Sequence, residues 1–357
     1  MSARQRAARQ RRKMILFAVE IVIILIMAAV LYLVMNKTSE GPKMVTMDPG
    51  KLAIPSEVVE RGEEGGAMHG YMNIALFGVD AETDSQLFKG SRSDSIMIAN
   101  INLDTGDIKL VSVYRDTYLN IGTDEYRKCN SAYSFGGAEQ AVKMLNMNLD
   151  MDITNFITVG YKGLSEVIDG LGGVYVDVDS EELKHINNYQ VGVSNVLKCE
   201  YTPVSQPGYQ LLNGVQATAY CRIRQTKGDD FQRAARQREV IQAIEEQAKK
   251  TDLVTLTKVF NDCIDDIYTS LDSRDILDLL GNIANYRIVA EDGLPQASLR
   301  GNANMGAKGA CVIPTDLEAN VVWLHQFLFD DEDYTVTDSV REYSQKITTD
   351  TSKYLER

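Results

Sequence analysis

The sequence predicts an α/β fold, an α/β/α sandwich in which a central mixed β-sheet is flanked by helices. Short runs of β-branched and apolar residues, typical of strands buried on both faces, recur between residues 72 and 178. Segments with the apolar spacing of helices alternate with these runs. A long apolar run near the N-terminus adds a single transmembrane helix before the sandwich.

The transmembrane helix is predicted at residues 14–35, a stretch of 22 residues in which only Glu20 is charged. A bilayer core of roughly 30 Å requires about 20 apolar residues in a helix. Residues 1–13 carry six positive charges and no acid, which places this basic arm in the cytoplasm and the rest of the chain outside. A cleaved signal peptide is the alternative, but its apolar region would be shorter, and no small-residue cleavage motif follows Met35.

The rest of the chain divides into three predicted parts. Residues 36–70 are rich in Gly, Pro, Ser, Glu and Lys without periodic apolar spacing, which indicates a flexible extracellular stalk. Order is expected to begin near Tyr71, and residues 71–329 are predicted to form the main domain. Residues 330–357 are predicted to be a polar, peripheral C-terminal tail.

The individual elements follow from periodicity and from turn residues. Strands are predicted at residues 72–79, 95–103, 108–114, 153–159 and 174–178. Helices are predicted at residues 137–149, 162–171, 233–249, 253–268 and 273–286. Asp104-Thr105-Gly106-Asp107 predicts a hairpin turn, and Asn213 with Gln216 resembles a capping box that opens a short helix toward Tyr220.

Arginine is concentrated in one short stretch of a chain whose net charge is −13. The stretch contains Arg222, Arg224, Arg233, Arg236 and Arg238. The planar guanidinium group matches phosphate oxygens two at a time, so this cluster suggests phosphate binding, with a solvated helix face as the alternative. A small basic pocket in an acidic chain does not suit nucleic acid, which requires an extended basic face.

Helical spacing subdivides this cluster. Arg233, Arg236, Gln237 and Val240 share one helix face and could offer donors to phosphates. Arg238 points elsewhere and is predicted to lie on the surface.

Charged side chains also stand at the ends of predicted strands. Asp80 follows the first strand, Asp94 opens the second, and Arg115-Asp116 follows the third. Ligands of open α/β sheets bind at the carboxyl ends of strands, and an antiparallel second strand would bring Asp94 to the same edge. Two carboxylates with several arginines suit Mg2+-assisted phosphoryl transfer. The alternatives are an aspartate that caps a turn and an Arg-Asp surface pair.

Cysteine and histidine contribute little to the predicted chemistry. The five cysteines show no C-x-x-C spacing, so a zinc or redox motif is not expected, and the sequence leaves any disulfide pairing open. None of the three histidines is expected to be catalytic.

Eight short segments in a fixed order carry a family resemblance. They are Gly78-Val79-Asp80, Ser91-Arg92-Ser93-Asp94-Ser95, Val111-Ser112-Val113-Tyr114-Arg115-Asp116-Thr117, Asn130-Ser131-Ala132-Tyr133, Gly170-Leu171-Gly172-Gly173-Val174, Leu212-Asn213-Gly214, Tyr220-Cys221-Arg222-Ile223-Arg224, and Gly228-Asp229-Asp230-Phe231-Gln232-Arg233 with Arg236-Gln237-Arg238. Over about residues 72 to 245 the chain resembles the LytR-CpsA-Psr family. The basic arm and single anchor also fit this resemblance.

The resemblance implies an extracytoplasmic phosphotransferase. Such an enzyme moves an anionic glycopolymer from an undecaprenyl-pyrophosphate carrier to a peptidoglycan sugar hydroxyl and releases undecaprenyl phosphate. The implied location is the cell membrane of a Gram-positive bacterium, with residues 71–329 as an extracellular catalytic domain. The implied partners are the carrier-linked glycopolymer, peptidoglycan and the membrane.

The resemblance also implies roles for individual residues. Asp80 and Asp94 are expected to hold Mg2+, with Mn2+ as the alternative ion, and to form the catalytic group together with Arg115. The pyrophosphate-binding residues are expected to be Arg92, Arg115, Arg222, Arg224, Arg233 and Gln237. Tyr114 and Ser131 depart from the family pattern, which usually has Pro and His at these positions.

Other functions remain open at this level. A lipid-pyrophosphate hydrolase would use the same groups with water as the acceptor. A binding module without turnover would need the arginines but not the two aspartates. A transcriptional regulator is disfavoured because only 13 residues precede the predicted anchor. The identity of the glycopolymer, the choice of Asp80 or Asp94 as general base, and the oligomeric state stay open.

Overall fold

The structure, a computed structural model, describes residues 43–81 and 84–355. The predicted cytoplasmic arm and transmembrane helix lie outside the described residues. Within the described ranges, no helix has the length and apolar character needed to cross a membrane.

The strands are β1 (Lys43–Met44), β2 (Tyr71–Val79), β3 (Ser93–Asn102), β4 (Asp107–Val113), β5 (Tyr118–Asn120), β6 (Tyr126–Lys128), β7 (Asn155–Val159), β8 (Val174–Val178), β9 (Gly208–Leu212), β10 (Ile267–Thr269), β11 (Arg287–Leu294), β12 (Arg300–Asn304) and β13 (Ala310–Pro314). The helices are α1 (Ser56–Gly62), α2 (Asp84–Phe88), α3 (Ser131–Leu149), α4 (Tyr161–Gly170), α5 (Ser180–Leu197), α6 (Gly214–Tyr220), α7 (Asp229–Lys250), α8 (Leu253–Cys263), α9 (Ser273–Gly281), α10 (Leu317–Phe329) and α11 (Asp338–Leu355).

Among the described residues, seven strands form the central sheet in the order β1-β10-β7-β2-β3-β4-β11. The sheet is mixed, because β2–β3 and β3–β4 are antiparallel whereas β2–β7 and β4–β11 are parallel. This confirms the predicted mixed sheet and the hairpin between β3 and β4. The predicted strand at β8 also exists, but it pairs with β9 in a separate two-stranded sheet.

Both faces of the central sheet are covered. Successive residues of one strand enter different hydrophobic clusters, because side chains alternate across a sheet. Ile98 and Val111 pack in the cluster that contains α3 and α10, whereas Ala99 and Leu110 pack in the cluster that contains Ile276 of α9. The strands are therefore buried on both sides, as their near-continuous apolar sequences predict.

Residues 43–70 do not form a flexible stalk. They contain β1 and α1, and the side chains of Leu52 and Val58 are completely buried in the main hydrophobic cluster, with Met68 almost so. The prediction was wrong because these few apolar residues are too far apart in the sequence to produce a periodic pattern.

The C-terminal region is likewise part of the fold rather than a peripheral tail. Helix α11 buries Val340 and Ile347 in the same cluster as α10. Just before it, Tyr334 Oη and Thr337 N donate hydrogen bonds of 3.0 and 2.9 Å to Asp150 Oδ2. A mostly polar helix with a narrow apolar stripe can therefore still be a core element.

Two predicted helices are shorter than expected. Helix α8 ends at Cys263, and a 3-10 turn at Ile264–Asp266 leads into strand β10, which lies between β1 and β7 in the sheet. Helix α9 ends at Gly281. The capping box of α6 is confirmed, because Gln216 N donates to Asn213 Oδ1 and Asn213 N donates to Gln216 Oε1, both at 2.9 Å.

Candidate functional site

A cavity of about 710 Å³ opens at the edge of the sheet where β2 ends. Its polar end contains all the site residues predicted from the sequence. They are Asp80, Arg92, Asp94, Arg115, Arg222, Arg224, Arg233 and Gln237. The remaining wall is largely apolar and includes Leu76, Met97, Ile157, Leu164 and Ile241. The site is therefore amphiphilic, with positive charge at one end and hydrocarbon at the other.

Sheet topology explains how the two aspartates come to the same edge. Asp80 directly follows β2, and Asp94 lies at the start of the antiparallel β3. Gly78 makes this close approach possible, because a Cβ atom there would lie 2.9 Å from the Cβ of Ser95. Arg115 follows β4, the next strand of the sheet.

Asp94 organises three arginines. Its Oδ1 accepts a 2.6 Å hydrogen bond from Arg115 Nη1, and its Oδ2 accepts a 2.9 Å bond from Arg224 Nη2. Its main-chain oxygen accepts a 3.2 Å bond from Arg233 Nη2. Residues from β3, from the end of β4 and from the segment around α7 are thus joined at one point.

Asp230 is a second anchor for the same arginines. Its carboxylate lies 2.9 Å from Arg233 Nη1, 3.5 Å from Arg115 Nε and 3.8 Å from Arg224 Nε. Although burial opposes it, the guanidinium groups of Arg233, Arg115 and Arg224 lower the pKa of Asp230 below its ordinary value. Asp230 belongs to one of the sequence motifs, but no role was predicted for it. Its position three residues before Arg233 on α7 is the sequence signal that could have indicated this ion pair.

The arginines remain charged at neutral pH. Burial tends to lower the pKa of Arg115, but the carboxylates of Asp94 and Asp230 raise it above its ordinary value. Burial, followed by repulsion from Arg115, lowers the pKa of Arg233 to about 10. Two carboxylates therefore hold three closely spaced cations together before any ligand arrives.

Several guanidinium donors in this end of the cavity lack a hydrogen-bond acceptor. Within residues 43–81 and 84–355, Arg115 Nε and both Nε and Nη1 of Arg233 are buried without one, and the close Arg233–Asp230 contact lacks hydrogen-bond alignment. The side chains of Arg92 and Arg222 also make no hydrogen bond or ion pair within these ranges, although the Arg222 guanidinium lies 4.4 Å from the centroid of the Tyr161 ring. Unsatisfied buried donors are uncommon, and these face a cavity in which an anionic group could accept hydrogen bonds from them.

Tyr161 is a cavity residue that sequence reasoning missed. It lies at the start of α4 and lines the same cavity as Asp80, and its ring is covered by the Arg222 guanidinium. Burial is the main cause that raises its pKa. Nothing in its sequence neighbourhood distinguishes it from a packing tyrosine.

Arg238 corrects one of the predictions. Instead of lying on the surface, it is only 8% exposed, and its Nη1 donates a 2.8 Å hydrogen bond to Ser112 Oγ while Nε lies 3.6 Å from Glu291. Its partners come from β4 and β11, which sequence spacing on a helix cannot reveal.

Arg236 does not share the phosphate-facing role suggested by helical spacing. It is 4% exposed and donates to Glu182 Oε1 at 2.6 Å, to the main-chain oxygen of Ile223 at 3.0 Å, and to Thr226 Oγ1. It does not line the cavity described above. These bonds fasten the segment that carries Arg222 and Arg224 to α7.

Asp116 does not join the other charged residues at the cavity, although it follows the same predicted strand as Arg115. Its carboxylate lies 3.2 Å from Lys128 Nζ, and it is not among the residues that line the cavity. Ser131 begins α3 and is also outside the cavity lining. The five cysteines all lie within the described residues and all are free.

The donor set at the polar end fits Mg2+. Mg2+ prefers oxygen ligands and is commonly bound by one or two carboxylates together with waters and substrate phosphates. Asp80 is exposed to the cavity, and each Asp94 oxygen that accepts a guanidinium bond retains further lone-pair capacity. No group of three His, Cys, Asp or Glu suited to a metal occurs in the described residues, so the ligand and water would have to complete the coordination.

The fold is a mixed sheet with an arginine-lined, partly apolar cavity at its edge, a shape and charge that suit an amphiphile with an anionic head group. The chain belongs to the LytR_cpsA_psr family, whose model matches residues 32–324.

Similar proteins have been named for a specific transfer reaction. The chain is 29% identical over 225 residues to a polyisoprenyl-teichoic acid–peptidoglycan teichoic acid transferase TagU of Halalkalibacterium halodurans, a match covering 62% of this chain and 66% of the relative. It is 33% identical over 175 residues to the TagU of Bacillus cereus, covering 48% of this chain and 51% of the relative. These matches span between about half and two thirds of the relatives' length.

A solved structure supports the fold. The LytR-CPS2A-psr family protein YwtF (TagT) with bound octaprenyl pyrophosphate lipid is 21% identical, with a TM-score of 0.52. The similarity covers 82% of this chain and 95% of that one.

Proposed function

We propose that this chain is an extracytoplasmic phosphotransferase. It moves an anionic glycopolymer from an undecaprenyl-pyrophosphate carrier to a peptidoglycan sugar hydroxyl and releases undecaprenyl phosphate. The proposal rests on one observation: an arginine cluster and an apolar wall line the same cavity. The names of the TagU relatives and the octaprenyl pyrophosphate bound by the YwtF structure agree with this assignment.

The arginine end suits the pyrophosphate. Arg115, Arg224 and Arg233 are held in place by Asp94 and Asp230. Donors fixed before the reaction stabilise developing charge without reorganising at the moment of reaction. Arg92 and Arg222, together with Gln237, provide further donors at the cavity wall.

The apolar wall suits the polyprenyl chain. Residues from β2, β3, β7, α4 and α7 contribute to it, including Leu76, Met97, Ile157, Leu164 and Ile241. Burial of hydrocarbon contributes roughly 25 cal/mol per Å². This wall can therefore hold the lipid while the arginines hold its head group.

The proposed reaction is a phosphoryl transfer. The oxygen of the sugar hydroxyl attacks the phosphorus that bears the glycopolymer, and the bond from that phosphorus to the bridging oxygen breaks. Undecaprenyl phosphate leaves with the bridging oxygen, and the polymer becomes joined to the acceptor sugar through a phosphodiester. The hydroxyl proton passes to a carboxylate.

Asp80 is the better placed of the two candidate bases. Both oxygens of Asp94 accept bonds from guanidinium groups, whereas Asp80 is exposed at the cavity wall. A general base must reach the proton it removes, so geometry favours Asp80. Asp80 and Asp94 would hold Mg2+, or Mn2+ in its place, which would neutralise phosphate charge.

The reaction is proposed to occur outside the cell, with residues 14–35 as a single membrane anchor. An external protease added to intact cells should then remove the region after Asn36. Survival of that region, with loss of the N-terminus instead, would reverse the topology.

The decisive experiment supplies the full-length chain in detergent with a polyprenyl-pyrophosphate-linked glycan, with and without a peptidoglycan fragment. Mass spectrometry should show the phosphodiester-linked product only when the acceptor is present. Release of free glycan phosphate at the same rate without the acceptor would indicate a hydrolase. Bound but unchanged lipid would indicate a binding module.

A further inference from the structure

We propose that Arg300 is a positioning residue for the head-group end of the cavity. It holds the aromatic rings of Tyr114 and Phe231 and thereby fixes the distance between Arg115 and Asp230. The inference rests on the proposed function, because its consequence is the strength of pyrophosphate binding.

The Arg300 guanidinium faces two aromatic rings. Its central carbon lies 3.7 Å from the centroid of the Phe231 ring and 4.9 Å from that of Tyr114. The two rings meet edge to face, with centroids 4.6 Å apart and an interplanar angle of 80°. Arg300 Nη1 also donates a 3.2 Å hydrogen bond to the main-chain oxygen of Pro295. A cation within about 6 Å of a ring face is attracted to it, so Arg300 joins both rings to its own segment.

The two rings are adjacent in sequence to residues of the cavity. Tyr114 immediately precedes Arg115, and Phe231 immediately follows Asp230. Arg115 Nε and Asp230 Oδ2 are 3.5 Å apart. The segments after β4 and at the start of α7 are distant in the chain, so the ring contact helps to set the spacing of these charges.

Arg300 itself does not line the cavity. Within the described ranges its guanidinium makes no ion pair with a carboxylate and contacts the two rings and the Pro295 oxygen. Its influence on a bound ligand therefore passes through Tyr114 and Phe231.

The arrangement depends on residues particular to this sequence. A Cβ atom at position 293 would lie 2.1 Å from Tyr114 Oη, so Gly293 of β11 leaves the space that this side chain occupies. Tyr114 N also donates a 2.9 Å hydrogen bond to the main-chain oxygen of Leu294. A proline at position 114 could provide neither the ring contact nor that hydrogen bond.

Binding of geranyl pyrophosphate to the full-length chain in detergent, measured by calorimetry, tests the proposal. Arg300→Met, which keeps the length and removes the charge, should weaken binding about tenfold. Arg300→Lys, which keeps the charge, should give an intermediate loss. Arg287→Met removes an exposed arginine that pairs with Asp107 in the same sheet, and it should bind like the wild type.

The order of the two Arg300 variants separates positioning by charge from simple packing. Methionine packs well against aromatic rings, so a packing role would make Arg300→Met bind at least as well as Arg300→Lys. That order, or wild-type binding by both variants, would overturn the inference while leaving the proposed function intact. Failure of the wild type to bind would overturn both.

A second variant keeps the inference testable even if Arg300→Met does not fold. Phe231→Leu removes the nearer ring and should cause a loss similar to that of Arg300→Met. In the Phe231→Leu background, Arg300→Met should add little further loss, since interacting residues are not additive. Fully additive losses would show that Arg300 acts independently of Phe231 and would contradict the inference.

Discussion

Two arginines of helix α7, Arg233 and Arg236, are equally buried but differ in their hydrogen-bond partners. Each is 4% exposed. Arg236 has an acceptor for every donor nitrogen, in Glu182, Ile223 and Thr226. Arg233 makes one hydrogen bond, to the main-chain oxygen of Asp94, and its Nε and Nη1 have none within the described residues. Burial therefore does not distinguish these two arginines, whereas the number of donors that have an acceptor does.

The comparison also explains why the cavity can hold extra negative charge. Around Arg236 one buried cation meets one buried carboxylate, Glu182, at 2.6 Å. Around Arg233, three arginines share two carboxylates, and Arg92 and Arg222 lie along the same cavity wall. The local balance at the cavity is positive in a chain whose net charge is −13.

The largest effect on the transfer rate is expected where the cavity arginines are anchored. Asp94→Ala removes the acceptor of Arg115 and Arg224 and one proposed metal ligand, so the transfer rate should fall about 100-fold or more. The rate of glycopolymer transfer with a saturating lipid donor measures this loss. Asp107→Ala, which removes an aspartate paired with Arg287 on the opposite edge of the sheet, is the control. Wild-type transfer by Asp94→Ala would refute the assignment.

Arg236→Met should lower the stability of the fold without removing a side chain that lines the cavity. Removing one partner of a buried ion pair leaves Glu182 uncompensated, which typically costs about 3–5 kcal/mol. Chemical denaturation should show this decrease in the free energy of unfolding. Arg287→Met, at an exposed pair, should change it by less than about 0.5 kcal/mol. Equal small changes in both variants would mean that the Arg236 network is not structural.

Lysine substitutions test the comparison at the level of binding. Arg233→Lys and Arg224→Lys keep the charge but lose the planar fork, so each should weaken polyprenyl-pyrophosphate binding by about 1.5–3 kcal/mol. Arg238→Lys should leave binding unchanged, because Arg238 bonds Ser112 outside the cavity. Titration of the full-length chain with a short-chain polyprenyl pyrophosphate measures both. Similar losses at all three positions would contradict the division between cavity and structural arginines.

Much of the fold followed from local sequence patterns. The strands β2, β3, β4 and β7 carry continuous apolar runs. Asp80, Asp94 and Arg115 lie beside the ends of three of these strands and line one cavity, at the sheet edge where they were predicted to gather. Helix α5 and strands β11 and β12 were missed, because their apolar residues are sparse or mixed with polar ones.

The fates of single arginines could not be predicted in the same way. Helical spacing placed Arg236 on the same helix face as Arg233 and predicted that Arg238 lies on the surface. Their carboxylate partners, Glu182 and Glu291, come from elements that were not predicted, α5 and β11. Pairing between distant segments is a tertiary property that periodicity along one helix does not contain.

The smallest expected effect concerns pH and the second anchor of the cavity, Asp230. Its pKa in the folded chain lies below the ordinary value of 3.8, so ionised Asp230 contributes stability above about pH 4 and loses that contribution as pH falls through the folded value. Asp230→Asn should therefore lower the free energy of unfolding by on the order of 1 kcal/mol at pH 7, and the difference from wild type should shrink as the pH falls through the folded pKa. Urea denaturation at pH 7 and at pH 3 measures this difference. Asp107→Asn serves as the control, since its partner Arg287 is well exposed and the pair should contribute little at either pH. A difference that stays constant from pH 7 to pH 3 would show that Asp230 supports the site by shape alone, and the cavity arginines would then be held chiefly by Asp94.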